Sequence, residues 1–316
     1  MLVDSPVMQV LSELVPGVTE GKLSRGGRML RWVEAGSGTP VVILDAAFGE
    51  PGTLAWASAM PRIAQRSRVI SYDRAGWGLS DPADPLTLTT EVSDLAALAA
   101  HTGGRCILVG HSWGGLLVQL VALQTPELVA GLVLVDPAET EETYLESLPA
   151  EIHQQTYDVG AELLDKRSRG EHGDLVRGAF QRFVQLLTED PGQQTRILDA
   201  YVACYSKQSQ VETFTAEARL IDASLPEIHR IRTAGQLPDV PVVVLSATAG
   251  APEDHHRKAW QKLHAELAAS VPRGRHVIVA DSDHALNQVA PDAVAEAIES
   301  VSGIRPGAPS PRNRSV

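Results

Sequence analysis

The sequence predicts an α/β chain built on a mostly parallel, doubly wound sheet, with a helical cap inserted near its middle. Three observations lead there. Val41-Val42-Ile43-Leu44, Val69-Ile70-Ser71-Tyr72, Cys106 to Val109, Leu132-Val133-Leu134-Val135 and Pro241 to Ser246 are short runs with little polar alternation, as expected of strands buried on both faces. Segments of helical period stand between them, among them Thr89 to Ala100, with Leu95, Leu98 and Ala99 on one stripe. From Pro137 to Pro238 the strand signal disappears and apolar residues recur at helical spacing, as in Val176, Ala179, Phe180, Phe183 and Leu187.

A chain of 316 residues buries a substantial core, and this pattern fits one core with one insertion better than two independent units. The expected division is an N-terminal extension over 1–19, a core over 20–136 and 239–302, a helical cap over 137–238 and a disordered tail over 303–316, which is rich in Pro, Arg and Ser. Residues 4 to 16 suggest a short leading helix that stops at Pro16-Gly17. Leu23-Ser24 and Met29 to Glu34 read as a hairpin around Arg25-Gly26-Gly27-Arg28. The segment Trp260 to Ala269 reads as a helix, His276 to Ala280 as a last strand and Pro291 to Val301 as a closing helix.

With 27 basic against 39 acidic residues the formal net charge is -12, and the basic residues gather only at the extreme C-terminus. Nucleic acid is therefore disfavoured as a partner, as is an anionic membrane. No basic start with an apolar stretch and cleavage site opens the sequence, and no apolar run approaches a bilayer's thickness, so a cytoplasmic location without membrane insertion is expected. The two cysteines, Cys106 and Cys204, read as reduced packing residues. His153, His172 and His229 have no metal-type spacing, and no metal site or cofactor is expected.

Gly110-His111-Ser112-Trp113-Gly114-Gly115 stands between an apolar strand and a helix rich in leucine. A serine on so tight a strand-to-helix turn sits in a strained conformation, and the residues two before and two after it must lack side chains. Leu116, Leu117, Leu120, Val121 and Leu123 continue the helix, which stops before Pro126 and is apolar enough to be buried.

On this motif, on Ser71-Tyr72-Asp73-Arg74-Ala75-Gly76-Trp77-Gly78-Leu79-Ser80-Asp81-Pro82 and on the late His284, the chain resembles the serine-nucleophile branch of the α/β-hydrolase superfamily from about residue 20 to 302. The resemblance implies Ser112 as nucleophile and His284, after the final predicted strand, as its base, with an acid that fixes the histidine tautomer. Two positions are open for the acid. Asp136, at a rigid strand end, is preferred; Glu253 and Asp254 lie several residues into the loop after Ser246, where many relatives carry theirs. The backbone N–H groups of Trp113 and Ala47 would form the oxyanion hole, although Asp45-Ala46 stands where many relatives have His-Gly. Asp73 and Arg74 are expected to pair and anchor their turn, and His111 to pack or position.

The function so implied is cleavage of a carboxylic ester, lactone or thioester through an acyl-serine, acting on a small molecule with an apolar portion. Serine at this turn argues against haloalkane dehalogenase or epoxide hydrolase chemistry, which resembling families perform with an aspartate there. Carbon–carbon hydrolysis, acyl transfer and lyase chemistry share the constellation. A non-catalytic small-molecule receptor is the alternative of a different class.

Overall fold

The computed structural model describes residues 5–149 and 151–303, without the side chain of His153. The expected tail therefore lies outside the described residues except for Gly303. The chain starts with α1 (Pro6–Leu14), where the Ser5 side chain accepts from the Met8 N–H and Val7, Met8, Val10 and Leu11 are buried. A hairpin of β1 (Thr19–Arg25) and β2 (Arg28–Ala35) follows. Its turn needs φ of 59° and 88° at Gly26 and Gly27, a region that side chains penalise.

The core then alternates strand and helix: β3 (Val41–Asp45), α2 (Gly52–Ala55), α3 (Met60–Ile63), β4 (Val69–Asp73), α4 (Leu88–His101), β5 (Cys106–His111), α5 (Trp113–Gln124) and β6 (Val129–Val135). Helices occupy the stretch up to the next strand: α6 (Glu142–Ser147), α7 (Glu151–Ser168), α8 (His172–Leu187), α9 (Pro191–Tyr205) and α10 (Gln208–Ala234). The core resumes with β7 (Val242–Ser246), α11 (Asp254–Ala269), β8 (Gly274–Ile278), α12 (Leu286–Val289) and α13 (Pro291–Ser302).

The strands form one eight-stranded sheet in the order β1-β2-β4-β3-β5-β6-β7-β8. The β1–β2 and β2–β4 pairs are antiparallel and every other pair is parallel. Alternate residues of a buried strand feed opposite faces, and the core divides accordingly. Ile107 and Val109 of β5 join one apolar cluster with Val133, Ile63 and Ile298; Cys106 and Leu108 join the other with Leu132, Leu95 and Leu116. Replacing Leu108 by Ala in such a setting costs about 2–5 kcal/mol.

Three features differ from the sequence reading, one of them the last strand, which runs Gly274–Ile278 rather than His276 to Ala280. The helix α11 starts at Asp254 rather than Trp260, because its inward stripe contains Arg257 and His264, polar residues that an apolar period passes over. The pieces α2, α3 and α12 are four residues each, too short to show a period. Among the described residues no helix is long and apolar enough to cross a membrane.

Candidate active site

The strand β5 ends at His111 and α5 begins at Trp113, leaving Ser112 alone at the turn with φ 50° and ψ −113°. Such a conformation costs a non-glycine residue about 1–3 kcal/mol and persists only where the surroundings impose it. Here three backbone hydrogen bonds do so: Ser112 N–H donates to Val135 at 3.1 Å, and the Ser112 carbonyl accepts from Gly115 at 2.9 Å and Ala138 at 3.0 Å. A Cβ at Gly110 would collide with the Gly114 carbonyl, and one at Gly114 would lie 2.6 Å from the Ala46 oxygen.

Those bonds tie the serine turn to the end of β6, where Asp136 has a φ of 41°. Its N–H donates to Leu245 at 2.8 Å and its Oδ1 accepts from Ala247 N–H at 3.0 Å. His284 Nδ1 lies 2.7 Å from Asp136 Oδ2, across 148 residues of chain. Arg257 of α11 grips the same carboxyl with two nitrogens, at 2.8 and 2.9 Å. Burial alone would raise the Asp136 pKa, but the hydrogen bonds and charges of His284 and Arg257 prevail and hold it well below the ordinary carboxylate range. Trp260 backs the assembly: Arg257 lies 4.3 Å from its ring centre, and that ring is 5.1 Å from the His284 ring.

His111 Nε2 is 2.7 Å from the His284 backbone oxygen. Burial, and then the neighbouring His284, lower its pKa to about 3, so the ring is neutral near pH 7 and its Nε2–H is the donor to that carbonyl. This contact fits the positioning role expected of it. Glu253 and Asp254 are exposed at the start of α11, and Glu253 pairs with His255 at 3.2 Å. The structure brings Asp136, rather than either of them, to His284.

The loop after β3 is fixed by a buried arginine. Arg74 donates to the carbonyls of Ala46 at 2.7 Å and Ala47 at 2.8 Å, to Asp45 at 2.8 Å and to Glu217 of α10 at 2.9 Å. The expected Asp73–Arg74 pair does not form. Asp73 is taken up by the N–H groups of Thr53 at 2.9 Å and Leu79 at 2.8 Å, leaving Arg74 to reach across the sheet edge. Glu217 also accepts from Trp77 and from Gly49 N–H, while Glu91 accepts from the Trp113 indole at 2.9 Å. Burial, and then repulsion from Glu217, push the Glu91 carboxyl well above its usual range, against the opposing charge of Arg74 at 3.6 Å.

Two cavities open at the serine turn, and a third shares the wall residues Phe48 and Glu50 with the first of them. One of about 460 Å³ is lined by Ser112 and His284 together with Ala47, Phe48, Glu50 and His111. A second, of about 190 Å³, opens at Ser112 and Trp113 and ends at Tyr157, Ala218 and Ile221 of the inserted helices. The third, about 510 Å³, is walled by Phe48, Glu50, Leu163, Val176, Phe180 and Phe214. Ala47 and Trp113 thus each share a cavity with Ser112. The Trp113 N–H is at the first position of α5, where no preceding helical carbonyl can satisfy it. Elsewhere, His172 contacts Ser206 and His229 contacts Thr140, and Cys106 and Cys204 are free and buried.

Arg257, Trp260, Glu217 and Glu50 were not singled out from the sequence as site residues, and Arg74 was expected only as a partner of Asp73. Arg257, Trp260, His264 and Ala268 share one face of α11, and this helical spacing would have flagged the arginine.

The profile of the alpha/beta hydrolase family matches residues 41–297. The chain belongs to that family. Over 235 residues, 68% of this chain and 63% of the relative, it is 27% identical to epoxide hydrolase 4 of Mus musculus. Over 104 residues, 32% of each chain, it is 36% identical to the sn-1-specific diacylglycerol lipase ABHD11 of Danio rerio. The match covers less than two thirds of either relative's length. A thermophilic esterase of Thermogutta terrifontis shares the fold, with a TM-score of 0.62 and 22% identity over 89% of this chain and 97% of that one.

Proposed function

We propose that the protein is a serine hydrolase cleaving a carboxylic ester, lactone or thioester, with Ser112, His284 and Asp136 as its triad and residues 137–238 as a cap over the site. The observation that supports this best is the 2.7 Å contact of His284 Nδ1 with a buried, ionised Asp136 beside a cavity that Ser112 also lines. With Nδ1–H donated to the carboxylate, Nε2 is left as a base. Ser112 Oγ attacks the substrate carbonyl carbon while Nε2 takes its proton, and the carbonyl oxygen becomes an oxyanion facing the N–H groups of Trp113 and Ala47. Collapse expels the alcohol or thiol, which receives that proton from the imidazolium. Water then attacks the acyl-serine by the same route and releases the acid.

A hydroxyl at position 112 favours this acyl chemistry over epoxide opening by a carboxylate. In the test, a fluorophosphonate probe is expected to attach to Ser112, and Ser112→Ala to abolish both labelling and hydrolysis of nitrophenyl esters. Labelling at a different serine, or undiminished turnover in the variant, would overturn the reading.

A further inference from the structure

The loop that follows the proposed oxyanion donor carries a carboxyl group to which the triad gives no task. Glu50 lines both the cavity shared by Ser112 and His284 and the apolar cavity between Phe180 and Phe214, so with Phe48 it forms the partition between them. Its Oε1 accepts from Gln288 at 3.2 Å, whereas its Oε2 is shielded from solvent and has no hydrogen-bond partner among the described residues. Leaving such an acceptor unsatisfied costs on the order of 1–3 kcal/mol, more if it is charged. The walls of the apolar cavity offer it little compensation, since they are chiefly Leu163, Val176, Phe180 and Phe214.

Resting on the hydrolase reading above, we infer that Glu50 is a specificity residue that hydrogen-bonds a donor on the substrate, so that the preferred substrate is an ester, lactone or thioester whose apolar chain carries a hydroxyl near the scissile carbonyl. The partition position explains the chemistry. Glu50 lines both cavities, so a chain running from the reaction cavity into the apolar one passes its carboxyl group, and a plain methylene there offers the unpaired oxygen no partner. A hydroxyl satisfies it. Burial pushes the Glu50 carboxyl up to about 7 against the lowering influence of Gln288, His284 and Arg74, so both protonation states are present near neutrality and each can accept from a hydroxyl. A site built to bond a substrate hydroxyl discriminates strongly against the analogue without it, because its own polar group is then stranded.

The test compares matched substrates within each protein, so that a loss of folded enzyme cancels. One pair is nitrophenyl 3-hydroxyhexanoate and nitrophenyl hexanoate; the other, with the hydroxyl on the leaving side, is 2-hydroxyethyl hexanoate and propyl hexanoate. The parent is expected to favour the hydroxylated member of at least one pair by about tenfold or more in kcat/KM. Glu50→Leu should erase that preference, while Glu50→Gln, whose amide oxygen still accepts, should keep part of it. A parent that labels at Ser112 but shows no preference in either pair, or a Glu50→Leu protein that retains it, overturns the inference and leaves the hydrolase reading standing. Absence of Ser112 labelling defeats both.

Discussion

Arg257 holds Asp136 from below while His284 engages it from above: two guanidinium nitrogens lie 2.8 and 2.9 Å from the carboxylate, and the imidazole is 2.7 Å away. With the Ala247 N–H as well, both carboxylate oxygens are fully engaged. A carboxylate so clamped has little freedom to turn away from the histidine, and its charge is stabilised although it is shielded from water.

If Asp136 orients His284, Asp136→Asn keeps the volume but can present an N–H where an acceptor is needed, and it favours the wrong tautomer. The expected result is a fall in kcat on the order of 10³-fold or more with KM little changed. Glu253→Gln and Asp254→Asn, at exposed positions, should each stay within about tenfold of the parent. Steady-state kinetics on a nitrophenyl ester decide it, and collapse in a control with an active Asp136→Asn enzyme would move the acid to the later segment.

Arg257→Gln removes one of the two partners that lower the Asp136 pKa. Breaking a buried pair of this kind costs about 3–5 kcal/mol. The sign of the pH effect follows from the depressed value in the folded state. Ionised Asp136 contributes stability above its unfolded pKa of about 3.9, and that contribution is lost as pH falls through 3.9 toward the folded value. In Arg257→Gln the folded value rises, the contribution shrinks, and the loss is confined to a narrower window just below pH 3.9. Chemical denaturation from pH 7 downward measures both: the variant should be much weaker than the parent at pH 7, and the gap should narrow only once pH falls below the variant's own folded value.

The strands were legible in the sequence because burial on both faces removes polar alternation, and the serine turn because its geometry leaves only glycine at 110 and 114. Asp136 could be located from its place at the end of β6, and His284 from its place after the last strand; the structure brings the two into contact. What could not be read has two physical causes. Arg74 finds Asp45 at 29 residues' separation and Glu217 at 143, and nothing in a local period encodes partners so distant. Arg257 was hidden differently, since a search for apolar stripes treats a buried arginine as a gap. The same gap puts the start of α11 at Trp260 in the sequence reading, so Glu253 and Asp254 read as loop residues although Asp254 opens that helix.

Arg74 itself is a test of how the oxyanion loop is held. Arg74→Met removes the cation that, among the described residues, pairs with Asp45, Glu91 and Glu217, all of them buried, and frees the Ala46 and Ala47 carbonyls. Loss of about 3–5 kcal/mol of stability is expected. Because the carbonyl clamp on Ala47 is lost too, the protein that does fold should show kcat reduced by about tenfold or more, with Ser112 still reactive toward a fluorophosphonate. A variant as stable as the parent would show that the carboxyls are neutralised by protonation instead.

The last prediction concerns which cavity receives the longer apolar part of a substrate. The larger one is bounded by Val176, Ala179 and Phe180 of α8, with Phe214 of α10, and the smaller by Ala218 and Ile221 of α10 next to Trp113. Apolar walls with few polar groups favour extended alkyl chains, each buried methylene contributing about 0.8 kcal/mol, so kcat/KM of the parent should rise from acetate to octanoate esters. Ala179→Trp fills the larger cavity without touching Ser112, His284 or Asp136. It should cut the octanoate-to-acetate ratio by on the order of tenfold while acetate turnover stays near that of the parent. Ala218→Trp fills the smaller cavity and should leave the ratio for the acyl series largely intact. If the two variants exchange these behaviours, the acyl chain lies beside Trp113 and the larger cavity serves the leaving group.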